Sequence, residues 1–390
     1  MPASDYDVGI IGGGIHGAGA AQAAAAAGYS VVLLEQTGLA HGTSSRSSKL
    51  IHGGLRYLES AQISLVRESL RERETLLRLA PELVRLVPFY IPVYRDTARR
   101  PWQVRLGLSA YAILTGLTPH ARFDRVPRNR WHKLDGLETH GLQHVFRYWD
   151  AQTNDADLTR AVMQSAIALG AVLLCPAQMC SALRTDEGFT LRYLTADQEK
   201  TLNCRALVNA AGPWANHVLE RIEPAPSKFP IELVQGTHIE VQGPVNQGVY
   251  YVEASDRRGV LIIPWQGHTL VGTTEHGYDG DPAEVRPLDH EVDYLLQTLH
   301  HYFPGHDANI VDSFAGLRVL PKSEDSAFHR PREPVLQCDE GLQPRLITIY
   351  SGKLTAYRAT AAKLVARLQP ILGRPPPKAD TRELPLRPPP

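Results

Sequence analysis

Gly12, Gly14 and Gly17 form a G-x-G-x-x-G pattern between an apolar run, Asp7-Val8-Gly9-Ile10-Ile11, and an alanine-rich segment from Ala18 to Ala27. That order predicts a short buried strand, a tight turn and a helix, since alanine has the highest helix propensity and lets a helix lie close to a sheet. Gly28 ends the helix, Val31 to Leu34 predicts a second strand, and Glu35 stands 18 residues after Gly17. The unit is βαβ. Gly12 suits the tight turn, Gly14 the close approach of backbone to a pyrophosphate, and Gly17 the close packing of the helix. The N-terminus of that helix offers unpaired N–H groups and the positive end of its dipole to phosphate. Glu35 is placed to accept hydrogen bonds from an adenosine ribose. The pattern alone does not choose between FAD and NAD.

The remaining chain extends this unit into an α/β protein. At roughly 150 residues per domain, 390 residues suggest two domains. The 31 Gly and 29 Pro argue against a helical bundle, and 41 basic against 41 acidic side chains argue against nucleic acid as a partner. Cys175, Cys180, Cys204 and Cys338 show no metal-ligand spacing, and reduced, mostly buried thiols are expected. No metal is expected. No secretory signal is evident, and no run reaches the about 18 apolar residues of a bilayer-spanning helix.

A charged amphipathic helix is predicted from Ile63 to Arg78, helices from Asp157 to Leu169 and Thr355 to Leu368, and strands at Ala171–Leu174, Leu207–Ala210 and Leu346–Tyr350. Gly259–Ile263 and Thr269–Val271 flank a hairpin turn. Residues 91–133 carry nine Lys or Arg against two Asp, and within them Trp102 to Leu117 mixes apolar residues with flanking Arg99, Arg100 and Arg105. That stretch reads equally as a basic surface helix or as a contact with anionic lipid. The segment from Pro370 to Pro390 holds eight prolines in 21 residues and is expected to be an extended tail or linker.

Three segments carry chemistry. Thr43-Ser44-Ser45-Arg46-Ser47-Ser48-Lys49 runs into Leu50-Ile51-His52-Gly53-Gly54-Leu55-Arg56-Tyr57. A solvated loop would explain the serines, but not two glycines between His52 and Arg56-Tyr57. Glycines there let a ligand reach the main chain, beside acid/base and anion-binding groups. Gly352-Lys353-Leu354-Thr355 lies between a strand and a helix, where a helix start can stabilise charge on a flavin ring or Lys353 can pair with an anionic substrate. Gly316-Leu317-Arg318, His238 and Thr273-Thr274 are weaker signals.

Together these segments, with Leu207-Val208-Asn209-Ala210-Ala211-Gly212-Pro213-Trp214, Gly236-Thr237-His238 and Gly272-Thr273-Thr274, resemble the FAD-dependent, quinone-linked, membrane-associated glycerol-3-phosphate dehydrogenases from about Tyr6 to Leu368. The resemblance implies a glutathione-reductase-like, Rossmann-type FAD-binding domain (1–90, 151–225 and 311–370) with an inserted antiparallel β substrate domain (91–150 and 226–310), and a Pro-rich tail at 371–390. It implies FAD as cofactor, held at Gly12, Gly14, Ile15, Gly17, Glu35, Thr43, Ser44, Ser45, Ser48, Lys49, Leu50, His52, Gly53, Gly54, Ala211, Gly212, Trp214, Gly316, Arg318, Gly352, Lys353, Leu354 and Thr355. It places His52, Arg56, Tyr57, His238, Thr274, Arg318 and Lys353 in the substrate pocket. The implied chemistry is oxidation of sn-glycerol 3-phosphate to dihydroxyacetone phosphate, with hydride to flavin N5 and electrons to a quinone.

Arg56, Arg318 and Lys353 suit a phosphate dianion. His52 suits removal of the hydroxyl proton, with His238 as the rival base. The implied partners are a phosphorylated polyol, a quinone and anionic lipid, in the cytoplasm or peripheral on the inner membrane. The chain departs from the resemblance in lacking a helical C-terminal domain, in Ser351 and Ala356 near the flavin turn, and in His41, Gly42 and Arg46 near the cofactor loop. The missing domain keeps open oxidation of another 2-hydroxy acid or an amine, and a non-catalytic FAD-binding relative.

Overall fold

β1 (Tyr6–Ile11) runs into α1 (Ile15–Ala26), and β2 (Val31–Leu34) returns parallel to β1. The computed structural model describes residues 5–116, 118–196, 198–322, 333–339, 344–350 and 352–389; Leu117, Ser351 and Pro390, named above, lie outside them. α1 is buried along nearly its whole length and wedged between helices Asp155–Ala168 and Tyr357–Leu372. Only small side chains allow that approach: a Cβ on Gly19 would press on the Tyr357 ring at 2.7 Å.

On its other side β1 pairs in parallel with the end of strand Gln198–Asn209, which pairs in parallel with Leu346–Tyr350. Val172–Leu174 extends the sheet beyond β2. Strand Gln198–Asn209 changes character along its length. Its first half is largely exposed and pairs antiparallel with Phe189–Thr195, whereas its last four residues are buried on both faces, as parallel core strands are. The carboxyl ends Ile11, Leu34, Asn209 and Tyr350 thus gather at one edge, the place where open α/β sheets bind ligands.

Among the described residues the second sheet has ten strands and is largely antiparallel. Ile231–Val241 pairs along its length with Ile310–Pro321, Val84–Tyr94 with Leu142–Thr153, and the expected hairpin forms from Gly259–Trp265 and His268–Gly272. Its two faces bury different cores. Tyr90, Val145 and Ile262 pack with helix Asp289–Tyr302, while Phe89, Tyr148 and Ile263 pack with α2 (Ile63–Leu79) and α3 (Pro101–Leu114). Alternation along each strand produces that division.

Some expectations are corrected. Val84–Tyr94 and Ile310–Pro321 lie in the second sheet, although the sequence assigns most of both to the cofactor-binding part. The Pro-rich segment is docked rather than free. Lys378 and Ala379 donate to Ala26 O, the Leu386 amide donates to Leu79 O, and the Leu386 side chain is buried in the core around α1. Of the cysteines only Cys204 is buried; Cys175 and Cys180 are exposed. No helix among the described residues is long and apolar enough to cross a membrane.

Candidate active site

A cavity of about 860 Å³ is lined from both sheets, and its floor is the glycine turn. Gly12 has φ +106°, and a Cβ there would meet Ala210 O at 2.7 Å; a Cβ on Gly17 would collide with Gly12 O. Gly14, the N-cap of α1, carries no side-chain cap, and Ser44 Oγ accepts from the Ile15 amide at 2.9 Å. Glu35 is braced at the cavity edge, its carboxylate accepting from the amides of Gly13 (2.6 Å) and Thr37 (2.8 Å). Opposite, Gly352 has φ +115°, and any Cβ would intrude on the His16 ring, whose nitrogens are shielded from solvent. Bare backbone at a helix N-terminus, an acid at the end of β2 and a second glycine turn facing them fit a dinucleotide such as FAD.

Most of the sequence-derived cofactor residues line this cavity: Gly12, Gly14, Ile15, Glu35, Thr43, Ser44, Ser48, Leu50, His52, Gly54, Ala211, Gly212, Trp214, Gly316, Arg318, Gly352, Lys353, Leu354 and Thr355. Gly17, Ser45, Lys49 and Gly53 do not. Gly17 lies beneath the turn, and Ser45 Oγ donates to Gly42 O. The buried Lys49 ammonium bonds Asp155 Oδ1 (2.8 Å) and Ser45 O (2.5 Å) and faces the Trp265 and Phe314 rings, so it pins the loop. Gly53 faces α2 and α3, where a Cβ would meet Tyr111 Oη at 2.5 Å.

The substrate candidates converge at the other end of the cavity. The Tyr57 ring is flanked by the Arg56 guanidinium, 5.1 Å from its centroid, and the Lys353 ammonium, 4.8 Å away. Arg318 donates from Nη1 to Glu275 Oε1 (3.1 Å) and from Nη2 to Thr273 Oγ1 (2.8 Å). Glu275 Oε1 also lies 3.9 Å from Arg56 Nη1 and so joins the two arginines. Thr274 is a correction. Its hydroxyl accepts from the Thr237 amide and donates to the buried Glu291 carboxylate, behind the cavity wall, and Thr273 faces the cavity instead. Glu275, the residue after the Gly272-Thr273-Thr274 motif, and Tyr251 in the cavity wall carry no signal in the sequence as site members, and within the motif it is Thr273 that reaches the site.

His238 lines the cavity with its ring stacked on Phe314, centroids 5.0 Å apart, and Nε2 2.9 Å from Ser48 Oγ. Burial, with the Arg318 and Lys49 charges nearby, pushes it down to about 3; burial pushes His16 down to about 4. In the unfolded chain both take up protons near pH 6.5. Between that value and the folded ones the unfolded state binds more protons, so stability falls as pH falls. The expected loss is about 1.4 kcal/mol per pH unit per histidine below pH 6.5. Urea midpoints measured from pH 7 to 5 check it, and His238→Asn should show the shallower slope.

A family model described as FAD dependent oxidoreductase matches residues 7–358. The chain is 38% identical over 378 residues to the glycerol-3-phosphate dehydrogenase of Pseudomonas aeruginosa, an alignment covering 94% of this chain and 72% of that protein. It is 36% identical over 379 residues to the D-erythritol 1-phosphate dehydrogenase of Brucella abortus, covering 94% and 74%. Among solved structures, the glycerol-3-phosphate dehydrogenase from Bacillus halodurans complexed with FAD matches with a TM-score of 0.78 at 26% identity, over 98% of this chain and 67% of that one. Glycine oxidase from Geobacillus kaustophilus, 21% identical with a TM-score of 0.71 over 99% of each chain, shares the fold.

Proposed function

The chain belongs to the FAD-dependent oxidoreductases and, among them, to the glycerol-3-phosphate dehydrogenase family, and from that footing we propose that it oxidises the C2 hydroxyl of sn-glycerol 3-phosphate to dihydroxyacetone phosphate and passes the electrons to a quinone. Bound FAD supplies the hydride acceptor, flavin N5.

The observation that carries the reading is the charge of the pocket. Arg56, Arg318 and Lys353 with Glu275 leave two net positive charges, the complement of a phosphate dianion. Arg56 and Arg318 present planar forks suited to phosphate oxygens, and Lys353 adds a point charge. Gly12, Gly14 and the α1 N-terminus hold the pyrophosphate, Glu35 the ribose, and the Gly352–Thr355 turn the flavin end. His52 takes the hydroxyl proton. A group held neutral until pH about 3, as His238 is, is a weak proton acceptor near neutrality, and its Nε2 is committed to Ser48. His238 therefore serves as a neutral polar wall.

The near-equal identity to the erythritol phosphate enzyme supports one second reading, a longer polyol phosphate handled by the same cluster. Turnover with a dye acceptor separates the readings. sn-Glycerol 3-phosphate should exceed unphosphorylated glycerol by roughly 10²-fold in kcat/KM, the worth of the charge-assisted contacts. Preference for D-erythritol 1-phosphate would select the second reading, and indifference to the phosphate would sink both.

The quinone is reached at a membrane surface, and α3 is the contact in this reading. Trp102, Leu106 and Ile113 are 66%, 63% and 66% exposed along one face of α3, beside Arg99, Arg100 and Arg105. An amphipathic face of this composition binds anionic interfaces. The full chain should float with phosphatidylglycerol vesicles and not with phosphatidylcholine ones, and Trp102→Glu with Leu106→Glu should abolish flotation. Unchanged flotation of that variant would exclude α3 as the contact.

A further inference from the structure

One peptide plane of the substrate loop is held from both ends. The Gly53 amide donates to Tyr111 Oη at 2.8 Å, and the His52 carbonyl of the same peptide accepts from Lys353 Nζ at 3.4 Å. In a trans peptide these two groups point in opposite directions, so fixing one orients the other. The same ammonium also reaches the Gly53 carbonyl at 3.3 Å and Ser69 Oγ at 3.2 Å.

Tyr111 is itself locked. Its hydroxyl donates to Asp150 Oδ2 at 2.6 Å, which turns its lone pair toward the Gly53 amide. Asp150 Oδ1 accepts from Arg73 Nη1, Arg73 continues to Glu74, and Glu74 to His120. Arg73 and Asp150 are both fully buried. Burial and the Asp150 carboxylate push the Tyr111 hydroxyl far above the ordinary phenol range, so it stays protonated and remains a donor. None of these groups lines the cavity. A buried charge pair outside the cavity lining stabilises a fold poorly compared with apolar residues of the same shape. Here it fixes the direction of one hydroxyl, and that hydroxyl fixes the loop.

We propose that Tyr111 is a positioning residue for the substrate pocket: held by Asp150 and Arg73, its hydroxyl anchors the His52–Gly53 peptide and thereby sets where the Lys353 ammonium stands. The proposal rests on the reading of Lys353 as a phosphate ligand. Gly53 is required by the same contact, since a side chain there would displace the Tyr111 oxygen.

The test is Tyr111→Phe in the full-length holoenzyme, with rates normalised to bound FAD so that any misfolded fraction does not count. The variant removes one oxygen and keeps the ring. The KM for sn-glycerol 3-phosphate should rise about tenfold, the effect of one lost hydrogen bond to a buried amide. The kcat should stay within about threefold and FAD content should match wild type, while the melting temperature falls modestly, as two buried groups lose a hydrogen bond. An unchanged KM would overturn the proposal. So would losses in KM and kcat that move together with lost FAD, because that is what a merely structural tyrosine produces. Wild-type turnover of sn-glycerol 3-phosphate is measured first, so a failure of the substrate reading is seen separately from a failure of Tyr111.

Discussion

Asp150→Ala is expected to lower the unfolding free energy by about 3–5 kcal/mol, because it removes the buried carboxylate paired with the Arg73 guanidinium and leaves only the partly exposed Glu74 beside it. Arg73 and Asp150 are 0% exposed and 2.5 Å apart, and the same carboxylate receives the Tyr111 hydroxyl. Removing it takes an acceptor from two buried donors at once. Domains of ordinary stability hold only about 5–15 kcal/mol in total, so this is a large fraction. Urea denaturation at neutral pH measures the loss. Arg73→Met combined with Asp150→Leu should recover most of it, since an apolar pair of similar volume removes both charges. A single-variant loss below about 1 kcal/mol would mean that water reaches the pair.

Arg318→Ala is expected to lower kcat/KM for sn-glycerol 3-phosphate by roughly 10²–10³-fold, equivalent to about 3–4 kcal/mol of transition-state binding. The guanidinium is half-buried and oriented by Glu275 and Thr273 on strand-end residues, so it is arranged before substrate arrives. Its removal takes away one of three cations and leaves the Glu275 carboxylate facing the phosphate beside Arg56. Arg318→Lys should recover only part, because an ammonium cannot keep both the Glu275 and Thr273 contacts of the fork. Steady-state kinetics on FAD-replete protein decide it. A loss of less than about fivefold would move the phosphate away from Arg318.

The parts of this site that were legible in the sequence are those whose chemistry is contiguous. The glycine turn, Glu35, the His52–Tyr57 loop and the Gly352–Thr355 turn each carry their signal within a few residues, and all four meet at the cavity. Convergence across the chain is not written locally. Nothing at Lys49 announces that its charge is spent on Asp155, 106 positions away. Nothing in the sequence marks Glu275 either; the pairing of Ile231–Val241 with Ile310–Pro321 and with His276–Tyr278 places it beside Arg318. The Thr273–Thr274 exchange comes from adjacency: a motif names two neighbouring residues without saying which side chain faces in. The boundary at Val84–Tyr94 failed for a related reason: an apolar strand reads alike whichever sheet receives it. The segment expected to be extended from Pro370 is helical to Leu372, and its prolines carried no information about Leu386 docking against α2.

The central claim is that a flavin and a phosphate-recognising cation cluster share this cavity and react with a phosphorylated polyol. Anaerobic mixing of the FAD-loaded protein with sn-glycerol 3-phosphate tests it most directly, read as the visible absorbance of oxidised flavin. The expected result is rapid and complete bleaching with sn-glycerol 3-phosphate and none on the same timescale with glycerol. An intact flavin spectrum after incubation with the phosphorylated substrate, in protein that demonstrably holds FAD, would contradict the account.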